Sequence, residues 1–138
     1  CGIIEGRKLG DNARAAFITR GLAEIARMAA AKGADPGTML GLSGLGDLTL
    51  TCNAMQSRNF SLGVALGQGQ ALGDILAKRS SVAEGVFTAA SAVQLAKTLN
   101  VETPLCTAID SILNNNADID HTIQNLLARP IGDEDPLG

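Results

Sequence analysis

From Asn12 to Lys32 the chain sets apolar residues at three-to-four spacing: Phe17, Ile18, Leu22, Ile25, Ala26, Met28 and Ala29. A period near 3.6 held over so long a stretch is an amphipathic helix and cannot be a strand. Arg14, Thr19, Arg20, Glu24 and Arg27 fall between the apolar positions and are expected on the solvent side. Asp11, in Gly10-Asp11-Asn12, is the expected cap of the first turn. Gly33 is the expected left-handed terminator. Gly21 costs about 1 kcal/mol against Ala inside a helix and is expected to mark a close helix contact.

A helix of this length has to bury its stripe, and the rest of the chain supplies further helices to bury it against. The 138 residues are 46% hydrophobic but only 2% aromatic, with no Trp and no Tyr, so the core is aliphatic and alanine-rich. Such a core favours helices over strands. Asp35-Pro36 and Thr103-Pro104 each place a capping residue before a Pro at the first helical position. Ser57 caps a helix carrying Phe60, Val64 and Leu66, which ends at Gly67-Gln68-Gly69. A short helix follows from Gln70 to Lys78, then a long one from about Gly85 to Leu99, with Val86, Ala89, Ala90, Val93, Leu95 and Ala96 inward and Asn100 at its end. Leu105, Ile109, Ile112 and Leu113 form the next stripe, Asn114-Asn115-Asn116 a loop, and Asp118 or Asp120 caps a last helix with Ile123, Leu126 and Leu127. The expectation is one all-α domain of about six to eight helices. It covers residues 1–128, with an acidic tail at 129–138.

Charge and cysteine usage exclude several function classes. A net charge of −3 disfavours nucleic acid as a partner. No apolar run approaches the ~18 residues of a membrane span, and the start lacks the basic-then-apolar pattern of a secretion signal. Three scattered cysteines, no CxxC pair and a single His argue against a metal site and for reduced thiols in a cytoplasmic protein. The start at Cys1, with no Met and an apolar Gly2-Ile3-Ile4 behind it, reads as a cut inside a longer polypeptide.

The chemistry concentrates in Gly41-Leu42-Ser43-Gly44-Leu45-Gly46-Asp47-Leu48, closely followed by Ser57-Arg58-Asn59. The glycine run is neither GxGxxG nor GxxxxGK(S/T) and has no strand before it, so it serves a turn and close helix contacts rather than a nucleotide. Asp47 is either a helix cap or a carboxylate that accepts hydrogen bonds from polyol hydroxyls or holds a catalytic lysine. Ser57-Arg58-Asn59 is either an ordinary helix start or an anion site, in which free amides, a hydroxyl and a planar guanidinium fork meet a phosphate. Glu84 either complements a helix dipole or accepts hydrogen bonds from a ribose. His121 has no second ligand at metal spacing and is expected as a surface or capping residue.

Five motifs then carry a resemblance: Gly10-Asp11-Asn12-Ala13-Arg14-Ala15-Ala16, Ile18-Thr19-Arg20-Gly21, Gly41 to Leu48, Ser57-Arg58-Asn59 and Val82-Ala83-Glu84-Gly85. In this order and spacing the chain resembles the C-terminal domain of bacterial NAD(P)-dependent glycerol-3-phosphate dehydrogenase, from about Gly2 to Leu127. The resemblance implies an all-helical substrate domain similar to the C-terminal domain of 6-phosphogluconate dehydrogenase. It follows an N-terminal Rossmann domain, which binds most of the NAD(P)H and is absent from this chain. It implies reversible reduction of dihydroxyacetone phosphate to sn-glycerol 3-phosphate, for phospholipid synthesis. Asp47, Ser57, Arg58 and Asn59 match the substrate-contacting positions, and Arg58, Val82 and Glu84 match cofactor-contacting ones. The family's catalytic lysine precedes the first motif in a Lys-Asn pair that does not occur here; Lys8, followed by Leu9, does not replace it. The isolated chain is therefore expected to be inactive. Two alternatives stand beside this reading: a non-catalytic helical module that pairs into a homodimer, and the same domain of a sister hydroxy-compound dehydrogenase.

Overall fold

The computed structural model describes residues 1–79 and 83–129. Its elements are α1 (Gly2–Gly6), α2 (Asp11–Ala31), α3 (Pro36–Met39), a π-helical turn (Leu42–Gly46), α4 (Asp47–Thr51), α5 (Arg58–Gly67), α6 (Leu72–Lys78), α7 (Ala83–Thr98), α8 (Pro104–Asn115) and α9 (Ile119–Ala128). There is no strand among the described residues, as an aliphatic, alanine-rich chain leads one to expect. Of the sequence expectations, the tail from residue 130 onward lies outside the described residues.

A backbone-to-backbone contact that hydrophobic periodicity does not announce joins α1 and α5. α1 and α5 both carry glycine at four-residue spacing, Gly2 and Gly6 on one helix and Gly63 and Gly67 on the other. A Cβ on Gly63 would lie 2.9 Å from both Gly2 Cα and Ile3 N, and one on Gly67 would lie 2.9 Å from Gly6 Cα. The helices therefore touch backbone to backbone, which only a missing side chain permits. That approach drives Ile3 and Ile4 into the core beside Phe17, Leu62, Leu66, Ile75, Ile123 and Leu126. Arg7, at the end of α1, ties the pair to α9: its Nη1 donates to the Gly67 carbonyl (2.9 Å) and its Nη2 to Asp120 Oδ2 (3.2 Å). α1 is only five residues long. A helix that short is unstable alone, so packing forms it and local sequence does not announce it.

α2 spans the expected stretch with two differences. Gly10, at φ 89°, occupies the cap position and supplies no side chain, while Asp11 is the first helical residue and pairs with Arg14. Its carboxylate still complements the helix N-terminus. The end is as expected: Gly33 is left-handed at φ 84°, with Gly33 N–H donating to Ala30 O (2.8 Å) and Ala34 N–H to Ala29 O (2.9 Å). Gly21 is not a close contact, since an added Cβ would meet only Leu105 Cδ1 at an ordinary 3.7 Å.

Three residues on the polar side of α2, Arg20, Glu24 and Arg27, reach neighbouring segments. Glu24 is 2% exposed, and its two oxygens accept from the backbone N–H groups of Leu105 (2.6 Å) and Cys106 (3.2 Å). Thr103 makes no side-chain cap bond, so α8 takes its cap from α2. Arg20 donates to the Leu126 and Arg129 carbonyls at the end of α9, and Arg27 to the Glu102 carbonyl (3.2 Å). Glu24 thus satisfies amides at the start of α8 and Arg20 carbonyls at the end of α9, while Arg27 ties down the connector before α8.

Unlike Asp11 and Thr103, three other caps read locally hold. Asp35 accepts from Gly37 N–H (2.9 Å), Ser57 Oγ from Phe60 N–H (3.3 Å), and Asp118, not Asp120, from His121 N–H (2.8 Å). α8 runs on through Asn114 and Asn115, and the stop comes at Asn116, left-handed at φ 54°. Ile25, Leu95, Ile109 and Leu127, expected inside, are exposed. The core is built from fewer positions on each stripe than the periodicity alone suggests.

Candidate functional site

Ser57 is in extended conformation and turns the chain into α5. Its Oγ takes the Phe60 amide, the third of the helix, so the amides of Arg58 and Asn59 have no intrahelical partner and point out of the helix end. Arg58 and Asn59 are exposed in the first turn. The guanidinium of Arg58 makes no ion pair among the described residues.

The Asn59 side chain reaches α7. A Cβ built on Gly85 would collide with Asn59 Oδ1 and lie 3.4 Å from its Cγ. The amide thus rests on the first turn of α7, where Glu84 is exposed beside Gly85. Two motifs 25 positions apart in sequence, Ser57-Arg58-Asn59 and Glu84-Gly85 (59 to 84), meet through this contact. Of the predicted residues, Val82 lies outside the described ones.

Asp47 is presented by different means. The π-helical turn lies across the end of α3, so close that a Cβ on Gly44 would sit 2.6 Å from Met39 Cα. The glycine run therefore serves a turn and a close contact, as its pattern implied. It ends by starting α4 with Asp47, exposed and without a hydrogen-bond partner among the described residues. Thr51 follows one turn later on the same face.

Two grooves flank these elements. One, of about 650 Å³, is bordered by Leu40, Leu42, Leu45, Gly46, Thr49 and Leu50, next to Asp47 in the chain. The other, of about 590 Å³, lies between α7, α8 and α9 and includes Lys97, Glu102, Thr107, Ser111, His121 and Arg129. It contains none of the predicted residues, and Arg129 there is paired with Glu102 at 3.7 Å. Around the first groove and α7, Leu42 is 92% exposed, Leu50 70% and Phe87 73%. Leu42 and Leu50 border the same groove and leave apolar surface open at it.

The cysteines lack the setting of a nucleophile. Burial, followed by the Glu24 charge, pushes the Cys106 thiol up to about 11, and burial pushes Cys52 up as well. Both thiols stay protonated at neutral pH. Among the described residues no three His, Cys, Asp or Glu side chains are grouped to hold a metal, and no helix is long and apolar enough to cross a membrane.

Comparison with known proteins agrees with this architecture. A family model described as the C-terminus of NAD-dependent glycerol-3-phosphate dehydrogenase matches residues 1–124. The glycerol-3-phosphate dehydrogenase (NAD(P)+) of Rhodospirillum rubrum is 56% identical over 131 residues, 95% of this chain and 38% of that protein. That of Caulobacter vibrioides is 52% identical over 134 residues, 97% of this chain and 40% of that protein. The crystal structure of glycerol-3-phosphate dehydrogenase from Coxiella burnetii superposes with a TM-score of 0.87 at 41% identity, covering 93% of this chain and 39% of that one. The chain thus spans about two fifths of the length of the curated relatives it matches. With the helical fold, the match over residues 1–124 and identities near one half, the chain belongs to the C-terminal domain family of NAD-dependent glycerol-3-phosphate dehydrogenase.

Proposed function

We propose that this chain is the substrate-binding part of a cytoplasmic sn-glycerol-3-phosphate dehydrogenase, with residues 1–128 as its substrate domain. The enzyme reversibly reduces dihydroxyacetone phosphate to sn-glycerol 3-phosphate. The observation that carries the reading is the meeting of Ser57-Arg58-Asn59 with Glu84-Gly85 through Asn59. It sets the Asn59 amide, at the open start of α5, against the first turn of α7, so that the helix turns carrying Arg58 and Glu84 are neighbours, a set of residue types that suits a phosphate beside a polyol or ribose. The phosphate dianion accepts from the Arg58 fork and from the open amides at the start of α5, where the helix dipole favours negative charge. Asn59 donates to a substrate oxygen, with the Ser57 hydroxyl at the same helix end. Asp47 accepts from a substrate hydroxyl or orients the catalytic lysine.

NAD(P)H, when bound, supplies the hydride to the carbonyl carbon. Glu84 and Arg58, with Val82, touch the cofactor from the side of this domain, and most of its binding belongs to a Rossmann domain. A lysine outside these residues gives the proton to the carbonyl oxygen, so this chain orients the reaction without performing it. The same Rossmann domain is proposed to cover Leu42, Leu50 and Phe87, which are exposed here.

The test joins this chain to the part of the Rhodospirillum rubrum relative that it does not cover. The chimaera oxidises NADH with dihydroxyacetone phosphate, while the isolated chain does not. Arg58→Ala in the chimaera lowers kcat/KM about a hundredfold or more, the size of a lost pair of charge-assisted hydrogen bonds, with folding unchanged. Unaltered turnover in that variant would return the chain to the non-catalytic module.

A further inference from the structure

We propose that Gly85 is a positioning residue of the site: having no Cβ, it seats the Asn59 amide on the first turn of α7 and so fixes Asn59 toward the substrate. This rests on the proposed function and deepens it, because no substrate or cofactor role was assigned to Gly85 from its motif. Three observations carry the inference. A Cβ at Gly85 would overlap Asn59 Oδ1 and come within 3.4 Å of Asn59 Cγ and 4.0 Å of Nδ2, and among the described residues outside its own stretch of α7 no other atom lies that near. Gly85 has no positive φ, so its backbone does not require glycine. α7 is helical there, and even in its first turn Gly is a weaker helix former than Ala, by at most about 1 kcal/mol. Glycine is therefore unfavourable locally and is explained by the one neighbour it admits.

The clash would fall on the far end of an exposed side chain, which swings away at little cost. This distinguishes Gly85 from Gly63, whose added Cβ would meet backbone. A side chain at position 85 thus leaves the fold in place and moves Asn59 off its seat. Glu84 stays where it is, since it belongs to the helix that does not move.

The test is a double-mutant cycle in the chimaera, with Gly85→Ala, Asn59→Ala and both together. Gly85→Ala raises KM for dihydroxyacetone phosphate about tenfold or more at nearly constant kcat, as loss of a hydrogen bond made equally in ground and transition states does. The thermal midpoint stays within about 4 °C. Asn59→Ala does the same, and the double variant is no worse than Asn59→Ala alone, because both changes remove one contact. Additive losses, or an unchanged KM in Gly85→Ala, would overturn the proposal. An unmutated chimaera without turnover, or an Asn59→Ala variant without effect, would instead refute the proposed function. The seat itself is read without activity in the isotope-labelled chain. Asn59 side-chain amide protons show nuclear Overhauser contacts to the Gly85 α-protons in the wild type and lose contact with residue 85 in Gly85→Ala. Absence of those contacts in the wild type also overturns it.

Discussion

Replacing Gly63 with Ala tests whether α1 and α5 are held backbone to backbone. The new methyl carbon would stand 2.9 Å from Gly2 Cα and from Ile3 N and 3.0 Å from Gly2 C. An ordinary carbon contact needs about 3.5–4.0 Å, so the helices must part by roughly 0.6–1 Å. A gap of that size forfeits a quarter to a half of each dispersion contact it opens. The contacts opened are those of Ile3 and Ile4 with the α5 side of the core. Overpacking costs about 1–3 kcal/mol, and backbone on both sides puts this site at the upper end. Helix propensity returns about 1 kcal/mol for Gly→Ala, leaving a net loss of about 2 kcal/mol. Gly73, in the first turn of α6, has none of the described residues outside its own stretch of helix within 4 Å of an added Cβ, so Gly73→Ala keeps a propensity gain of up to about 1 kcal/mol. At about 4 °C per kcal/mol for a domain of this size, Gly63→Ala melts about 8 °C lower and Gly73→Ala up to about 4 °C higher. Calorimetry and urea titration followed by circular dichroism read both. Gly63→Ala at wild-type stability, or both shifts with one sign, would refute the reasoning.

Glu24→Ala removes the acceptor from the amides of Leu105 and Cys106. At about 1–3 kcal/mol for each unpaired amide the fold loses roughly 3 kcal/mol, seen as a lower urea midpoint with loosening of α8. The pH dependence has a defined sign. Burial pushes the Glu24 carboxyl up, and donation from Leu105 and Cys106 pulls it part of the way back. A folded pKa above the unfolded one stabilises at low pH, and that contribution is lost as pH rises through the folded value. Relative to Glu24→Gln, whose difference in hydrogen bonding does not titrate, the wild type loses stability as pH rises from the unfolded carboxyl value, about 4.3, through the raised folded one. Parallel pH profiles for the two would remove that assignment.

What was legible in the sequence was what short-range chemistry decides. Asp35 before Pro36, Ser57, Asp118 and Gly33 are caps and stops whose partners lie within a few residues, and all four hold. What was not legible depends on partners far along the chain. Glu24 and Arg20 sit on the polar side of an amphipathic pattern, yet both finish the ends of other helices. Periodicity records that a position is not apolar; it does not record whether water or a bare helix terminus faces it. α1 escaped notice because two of its five residues are glycine, poor helix formers that packing against α5 demands. The candidate site divides in the same way. The residue types at Asp47 and at Ser57-Arg58-Asn59 suggested phosphate and polyol chemistry. The seating of Asn59 on Gly85 arises only when α5 and α7 come together.

Titrating the isotope-labelled chain with sn-glycerol 3-phosphate, and following backbone and side-chain amides, tests the central claim most directly. The account predicts shifts at Ser57, Arg58, Asn59, Glu84 and Gly85, with Asp47 responding to the polyol but not to inorganic phosphate. Shifts confined to the groove of Lys97, Ser111 and His121 between α7, α8 and α9, or none at all, would contradict it.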